Sequence, residues 1–124
     1  SLVKGEPGNA NWHRGLSVAL IKVGDVLTKN GNLSDSIATY DEALAIRKEL
    51  AKSDPSNAFW QRDLAVAYSK LAHAHFQAGS RDRAVSALEN GKSIISKLVE
   101  IAPGNAVWQQ DLAWFNQQIS EMRK

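Results

Sequence analysis

The 124-residue chain carries 15 Lys and Arg against 13 Asp and Glu, a formal net charge of +2 with the basic residues spread from Lys4 to Lys124, so no electrostatic footprint for nucleic acid or an anionic membrane is written in it. A hydrophobic content of 44% at this length serves one modest core and not two domains, and the absence of cysteine removes disulfides, thiolate catalysis and thiolate metal sites together. No apolar run nears the roughly 18–20 residues of a membrane span and the opening SLVKGEPGN lacks a signal-peptide core, which makes a cytoplasmic protein the expectation.

Along the chain one phrase returns. PGNANWHRGL at 7–16 comes back as PSNAFWQRDL at 55–64 and as PGNAVWQQDL at 103–112, each copy 48 residues after the last. Laid over one another without gaps, 7–54 and 55–102 also match at Val18/Val66, Ala19/Ala67, Lys22/Lys70, Gly31/Gly79, Ile46/Ile94 and Leu50/Leu98. Matches spread through the whole unit mark a period of the fold, with each unit too thin to bury its apolar face alone.

Residues 1–6 align with Lys97 to Ala102, Leu2 over Leu98 and Val3 over Val99, and so read as the tail of a helix B. A helix A is expected from near Ala10, Ala58 and Ala106, capped by the asparagine before each. Trp12, Leu16, Ala19, Val23 and Leu27 fall three and four apart and predict one buried stripe, repeated as Trp60, Leu64, Ala67 and Leu71. Gly31 and Gly79 are helix stops. Asn32 and Ser80 can then cap a helix B that carries Ile37, Tyr40, Leu44 and Leu50 in one copy and Val85, Leu88, Ile95 and Leu98 in the other, ended by Pro55 and Pro103. Residues 103–124 supply a third helix A. The domain therefore divides into 1–6, 7–54, 55–102 and 103–124. Both ends are expected to present apolar stacking surfaces, so self-association through them is one predicted outcome.

These residues resemble the tetratricopeptide repeats. In LIKVGDVLTKNGNLSDSIATYDEALAI at 20–46, Val23-Gly24, Leu27, Gly31, Leu33, Tyr40 and Ala43 stand where that family places its signature residues. In 68–94, Tyr68, Leu71-Ala72, Gly79, Ala84, Leu88 and Gly91 do the same. The family's usual repeat is 34 residues, so a period of 48 resembles a long-helix variant of the kind seen in bacterial multidomain proteins. The resemblance implies an all-α, right-handed stack of antiparallel helical hairpins, with two full repeats and partial helices at both ends. It also implies a concave groove lined by the A helices that takes a protein or peptide partner.

Chemistry-bearing constellations are few. His73 and His75 are two apart on a helix and point in different directions, and no phosphate loop, nucleophile elbow or HExxH occurs. No enzyme, metal or cofactor is expected. Trp12, Trp60 and Trp108 recur at the repeat period and are read as core. Trp114 stands where Val18 and Val66 stand, at the head of a second line along helix A: Val18, Ile21, Asp25 and Thr28, then Val66, Ser69, His73 and Phe76. Two readings of this line are open. Its apolar members are covered by a tight superhelix or a neighbouring repeat, or they form a groove for an extended or helical peptide, with Asp25, Lys29, His73 and Gln77 as polar contacts. The alternative to a binding module is a structural spacer or oligomerisation segment of a larger protein.

Overall fold

The computed structural model describes residues 7–124, in which five α-helices follow one another: α1 (Pro7–Lys29), α2 (Leu33–Ser53), α3 (Ala58–Gln77), α4 (Arg81–Ile101) and α5 (Ala106–Arg123). No strand occurs among the described residues. The helix tail read from residues 1–6 lies outside them.

Glycine sets both hairpin turns. Gly31 and Gly79 take φ of +81° and +86°, a region that strains any residue with a Cβ. Each closes the preceding helix with two reverse bonds: Gly31 N–H donates to Thr28 O at 3.1 Å and Asn32 N–H to Leu27 O at 2.9 Å, and Gly79 and Ser80 repeat this on Phe76 and His75. Asn32 and Ser80 occupy the N-cap positions of α2 and α4, yet neither side chain makes a capping bond. The glycine turn, not the cap, fixes these hairpins. At the starts of α3 and α5 the expected caps are present, with Asn57 and Asn105 accepting from the amides of Trp60 and Trp108 at 3.1 and 3.0 Å. The first copy departs from this. α1 already runs from Pro7, and Asn9 lies inside it with its carbonyl accepting from His13 Nδ1; proline suits a first helical turn because its missing N–H would have no partner there.

Contacts pair Ser17 with Arg47, Gly24 with Tyr40 and Thr28 with Ser36, so partners step in opposite directions and α1 and α2 are antiparallel. Gln61 with Ala51 and Asp63 with Arg47 give α2 and α3 the same relation. Each helix packs chiefly on its neighbours in the chain, α1 touches α3 lightly, and no comparable packing joins α1 to α5. The architecture is an all-α stack of helical hairpins, not a closed bundle.

The core falls into two main clusters. One joins Ile21, Tyr40, Ala43 and Leu44 to Leu64, Ala67 and Leu71. The other joins Ala65, Ala72, Leu88 and Ile95 to Phe115, Ile119 and Met122. Equivalent seams trade volume between partners, as close packing demands. Tyr40 faces Gly24, where a Cβ would stand 2.4 Å from the Tyr40 ring, whereas one repeat on the smaller Leu88 shares its cluster with Ala72. Phe115 faces Gly91, where a Cβ would stand 2.5 Å away, whereas one repeat back Ala67 shares its cluster with Ala43.

Two expectations are corrected. Trp12, Leu16 and Val23, read as a buried stripe, are 65%, 38% and 50% exposed. Their counterparts Leu64 and Leu71 are buried because helix α2 covers them, and among the described residues no helix precedes α1 to do the same. The C-terminal end is not apolar: Ala113, Asn116, Gln117 and Ser120 of α5 hold the positions that α1 and α3 turn toward their own helix B, and all four are exposed.

Leu64→Ala is expected to cost about 2–5 kcal/mol as a buried truncation, while the equivalent Leu16→Ala costs under about 1 kcal/mol because its surface is already wet; urea unfolding of both variants checks the contrast. Gly24→Ala is expected to destabilise the chain, with overpacking of roughly 1–3 kcal/mol outweighing about 1 kcal/mol of helix propensity. In a Tyr40→Leu background, which copies the pair of the second repeat, the same substitution is expected to stabilise, so the sign of its effect in the two backgrounds is the measurement.

Candidate functional site

The A helices α1, α3 and α5 lie in register, and two ion pairs hold them so. Arg14 Nε donates to Asp63 Oδ2 at 2.8 Å, and one repeat on Arg62 Nε donates to Asp111 Oδ2 at 2.7 Å, each reinforced by Nη2 on the other carboxylate oxygen. Such forked, half-exposed pairs contribute on the order of 1 kcal/mol or less apiece; their value is geometric, since the fork fixes spacing and rotation. Arg47, buried on α2, ties the first three helices by donating to Ser17 Oγ at 3.0 Å and to Asp63 O at 2.8 Å.

Along this layer opens a groove of about 510 Å³. Helix α1 gives it Asp25, Thr28 and Lys29, α3 gives Ser69, Lys70, His73 and Gln77, and α5 gives Trp114, Gln118 and Met122. A smaller apolar recess of about 250 Å³ adjoins it between α3 and α5, where Val66, Ser69 and Phe115 meet Trp114 beside the Arg62–Asp111 pair.

The α1 wall of the groove is a locked polar cluster. Asp25 accepts from Tyr40 Oη at 2.5 Å on one oxygen and from Lys70 Nζ at 3.2 Å on the other, so its charge is committed on both sides. Thr28 Oγ1 donates to Gly24 O at 2.8 Å and meets Ser36 Oγ. Burial first, and then the bond to Asp25, push the Tyr40 phenol up to about 12. The opposite wall is looser: exposed His73 meets Gln77 at 2.6 Å between Nε2 atoms, and Trp114 is 44% exposed with its ring edge-on to Phe115. His75 turns away from His73, half-buried, with its pKa lowered chiefly by burial. Among the described residues no group of three His, Asp or Glu could hold a metal ion, and no helix is long and apolar enough to cross a membrane.

Of the residues singled out from the sequence, Asp25, Thr28, Ser69, His73, Gln77 and Trp114 line the larger groove, and Val66 lines the adjoining recess. Val18 is half-buried and lines neither. Ile21 is a correction: it is 8% exposed and belongs to the core between α1, α2 and α3, although its counterpart Ser69 lines both cavities. Phe76, 42% exposed in the last turn of α3, also lies outside both cavities. Lys70 and Gln118 line the larger groove without being singled out by the sequence. They stand one repeat apart with Lys22 at the head of the same line, and the Lys22/Lys70 match was the available signal.

No family model matches the chain, and no curated protein matches it significantly.

A phenol ionises near 10 in an unfolded chain and at about 12 for Tyr40 in the fold, so its contribution to stability is complete below pH 10 and is lost as pH climbs through 12. In Tyr68→Phe, absorbance at 295 nm is expected to show the remaining tyrosine ionising near pH 12, and adding Asp25→Asn is expected to lower that midpoint without returning it to 10, because burial is the larger cause.

Proposed function

We propose that the chain is a protein-interaction module of the tetratricopeptide-repeat kind it resembles, which holds a peptide segment of a partner protein in the groove along α1, α3 and α5. The observation that carries this reading is convergence: side chains from three A helices two repeats apart open onto one groove of about 510 Å³, within the range of roughly 300–1,000 Å³ that ligand sites occupy. Asp25 and Lys70 neutralise each other there, so the occupant needs no strong charge. Trp114 offers the aromatic anchor that dominates many interfaces, and Gln77 and Gln118 offer amides for a peptide backbone. Helices fixed by packing and by the two ion pairs lose little entropy when a partner docks. The reading assigns no catalytic residue, cofactor, metal or nucleic acid, and places the module in the cytoplasm within a larger, multidomain bacterial protein.

A second reading, a structural segment within a longer stack, is favoured by the exposed apolar face of α1.

Selection from a displayed random-peptide library tests the first reading. Enriched peptides are expected to lose at least about tenfold in affinity on Trp114→Ala, about 1.4 kcal/mol or more, with the circular dichroism spectrum of the variant unchanged. Enrichment of nothing, or peptides indifferent to Trp114, would contradict it.

A further inference from the structure

The two ends of the stack are chemically unlike. On α3 one line of residues packs on the helix B before it and another on the helix B after it, and α1 and α5 carry the same two lines. The forward line is Ser17, Leu20, Ile21 and Gly24 on α1, then Ala65, Tyr68, Ser69 and Ala72 on α3, all buried or half-buried. On α5 it becomes Ala113, Asn116, Gln117 and Ser120, polar apart from one alanine and exposed throughout. The backward line behaves in the opposite way. Leu64, Ala67, Leu71 and Ala74 of α3 are buried, as are Phe115, Ile119 and Met122 of α5. On α1 the same line reads Leu16, Ala19, Val23 and Val26: it stays apolar although 38%, 50% and 58% of Leu16, Val23 and Val26 stand open. A stack needs a polar outer face only where it stops. By that criterion the outward face of α5 is suited to water and the outward face of α1 is not.

We infer that the open face of α1 is the seat of one further amphipathic helix of the α2 and α4 type, placed ahead of α1 in the same polypeptide. Continuity with the two internal seams argues for this occupant. At both of them the backward line of a helix A is covered by a helix B with a small buried residue, Ala43 or Gly91, packed against it and leucine near its end. Leu50 in that end position sits in one cluster with Trp60, and Leu98 in one cluster with Trp108. In sequence Leu2 is the equivalent of Leu50 and Leu98, and Trp12, 65% exposed, is the equivalent of the tryptophans they cover. A second copy stacked head to tail is a poor fit, because the face it would offer, that of α5, is polar. A helix A further ahead would meet α1 without the arginine fork, since Gly15 holds the position of Asp63 and Asp111.

The test is a graft of residues 81–96 ahead of Ser1, which continues into residues 1–6 in the register of 97–102. The grafted chain is expected to melt at least about 5 °C above the parent and to protect Trp12 from acrylamide, read as the difference from Trp12→Phe. Leu16→Asp is expected to abolish the rise in the grafted chain and to move the parent by no more than about 2 °C. If the graft aggregates, a synthetic peptide of residues 81–101 titrated into the parent decides, with Trp12 quenching relieved in the parent and not in Leu16→Asp. An unchanged melting temperature, peptide binding insensitive to Leu16→Asp, or a dimer of the parent that Leu16→Asp splits into monomers would each overturn the inference.

Discussion

The structure depends on one seam: a helix A laid on the helix B of the unit before it. Within a hairpin the glycine turns at 31 and 79 decide only that the chain reverses. What gives the hairpins a mutual position is the burial of Leu64, Ala67 and Leu71 on α2, and of Phe115, Ile119 and Met122 on α4. The seam tolerates exchange of volume between its two sides, glycine against an aromatic ring or alanine against a smaller neighbour, but not a surplus on both. A 48-residue period is compatible with few identities because the seam requires filled space between two helices rather than particular side chains.

Much of this was legible in the chain. The period, the five helices, the two glycine turns and the Asn57 and Asn105 caps follow from residues whose local chemistry acts where they stand. The errors have separate physical origins. Trp12, Leu16 and Val23 have the spacing of a buried stripe, and periodicity reports which face is apolar but not whether anything lies against it. Asn9 has the sequence of a cap and sits inside a helix that started at Pro7. Ile21 and Phe76 hold the repeat positions of Ser69 and Thr28, which do line the groove, so the position within the repeat does not by itself tell which copy opens onto it. The Arg14–Asp63 and Arg62–Asp111 forks span 49 residues, one more than the period, so the two halves of each fork stand at different positions of the repeat and a comparison of copies does not pair them.

The groove inherits its shape from the seam. Because the A helices are aligned by packing and held in rotation by the two arginine forks, side chains contributed two repeats apart face a common space. The cluster of Asp25, Tyr40, Thr28 and Ser36 makes its α1 wall stiff, whereas His73, Gln77 and Trp114 make the other wall more exposed. Such a division suits a surface that positions a partner with one wall and accommodates it with the other. The polar face of α5 and the open apolar face of α1 give the stack a direction, independent of whatever occupies the groove.

Native-state hydrogen exchange resolved by helix addresses the seam most directly. If each unit is held chiefly by its lateral contact, protection is greatest in α3, which has a helix B on both sides, and falls outward to α1 and α5, with α1 exchanging through openings smaller than global unfolding. A single free energy of exchange shared by all five helices, α1 as slow as α3, would show a closed cooperative body and contradict the account.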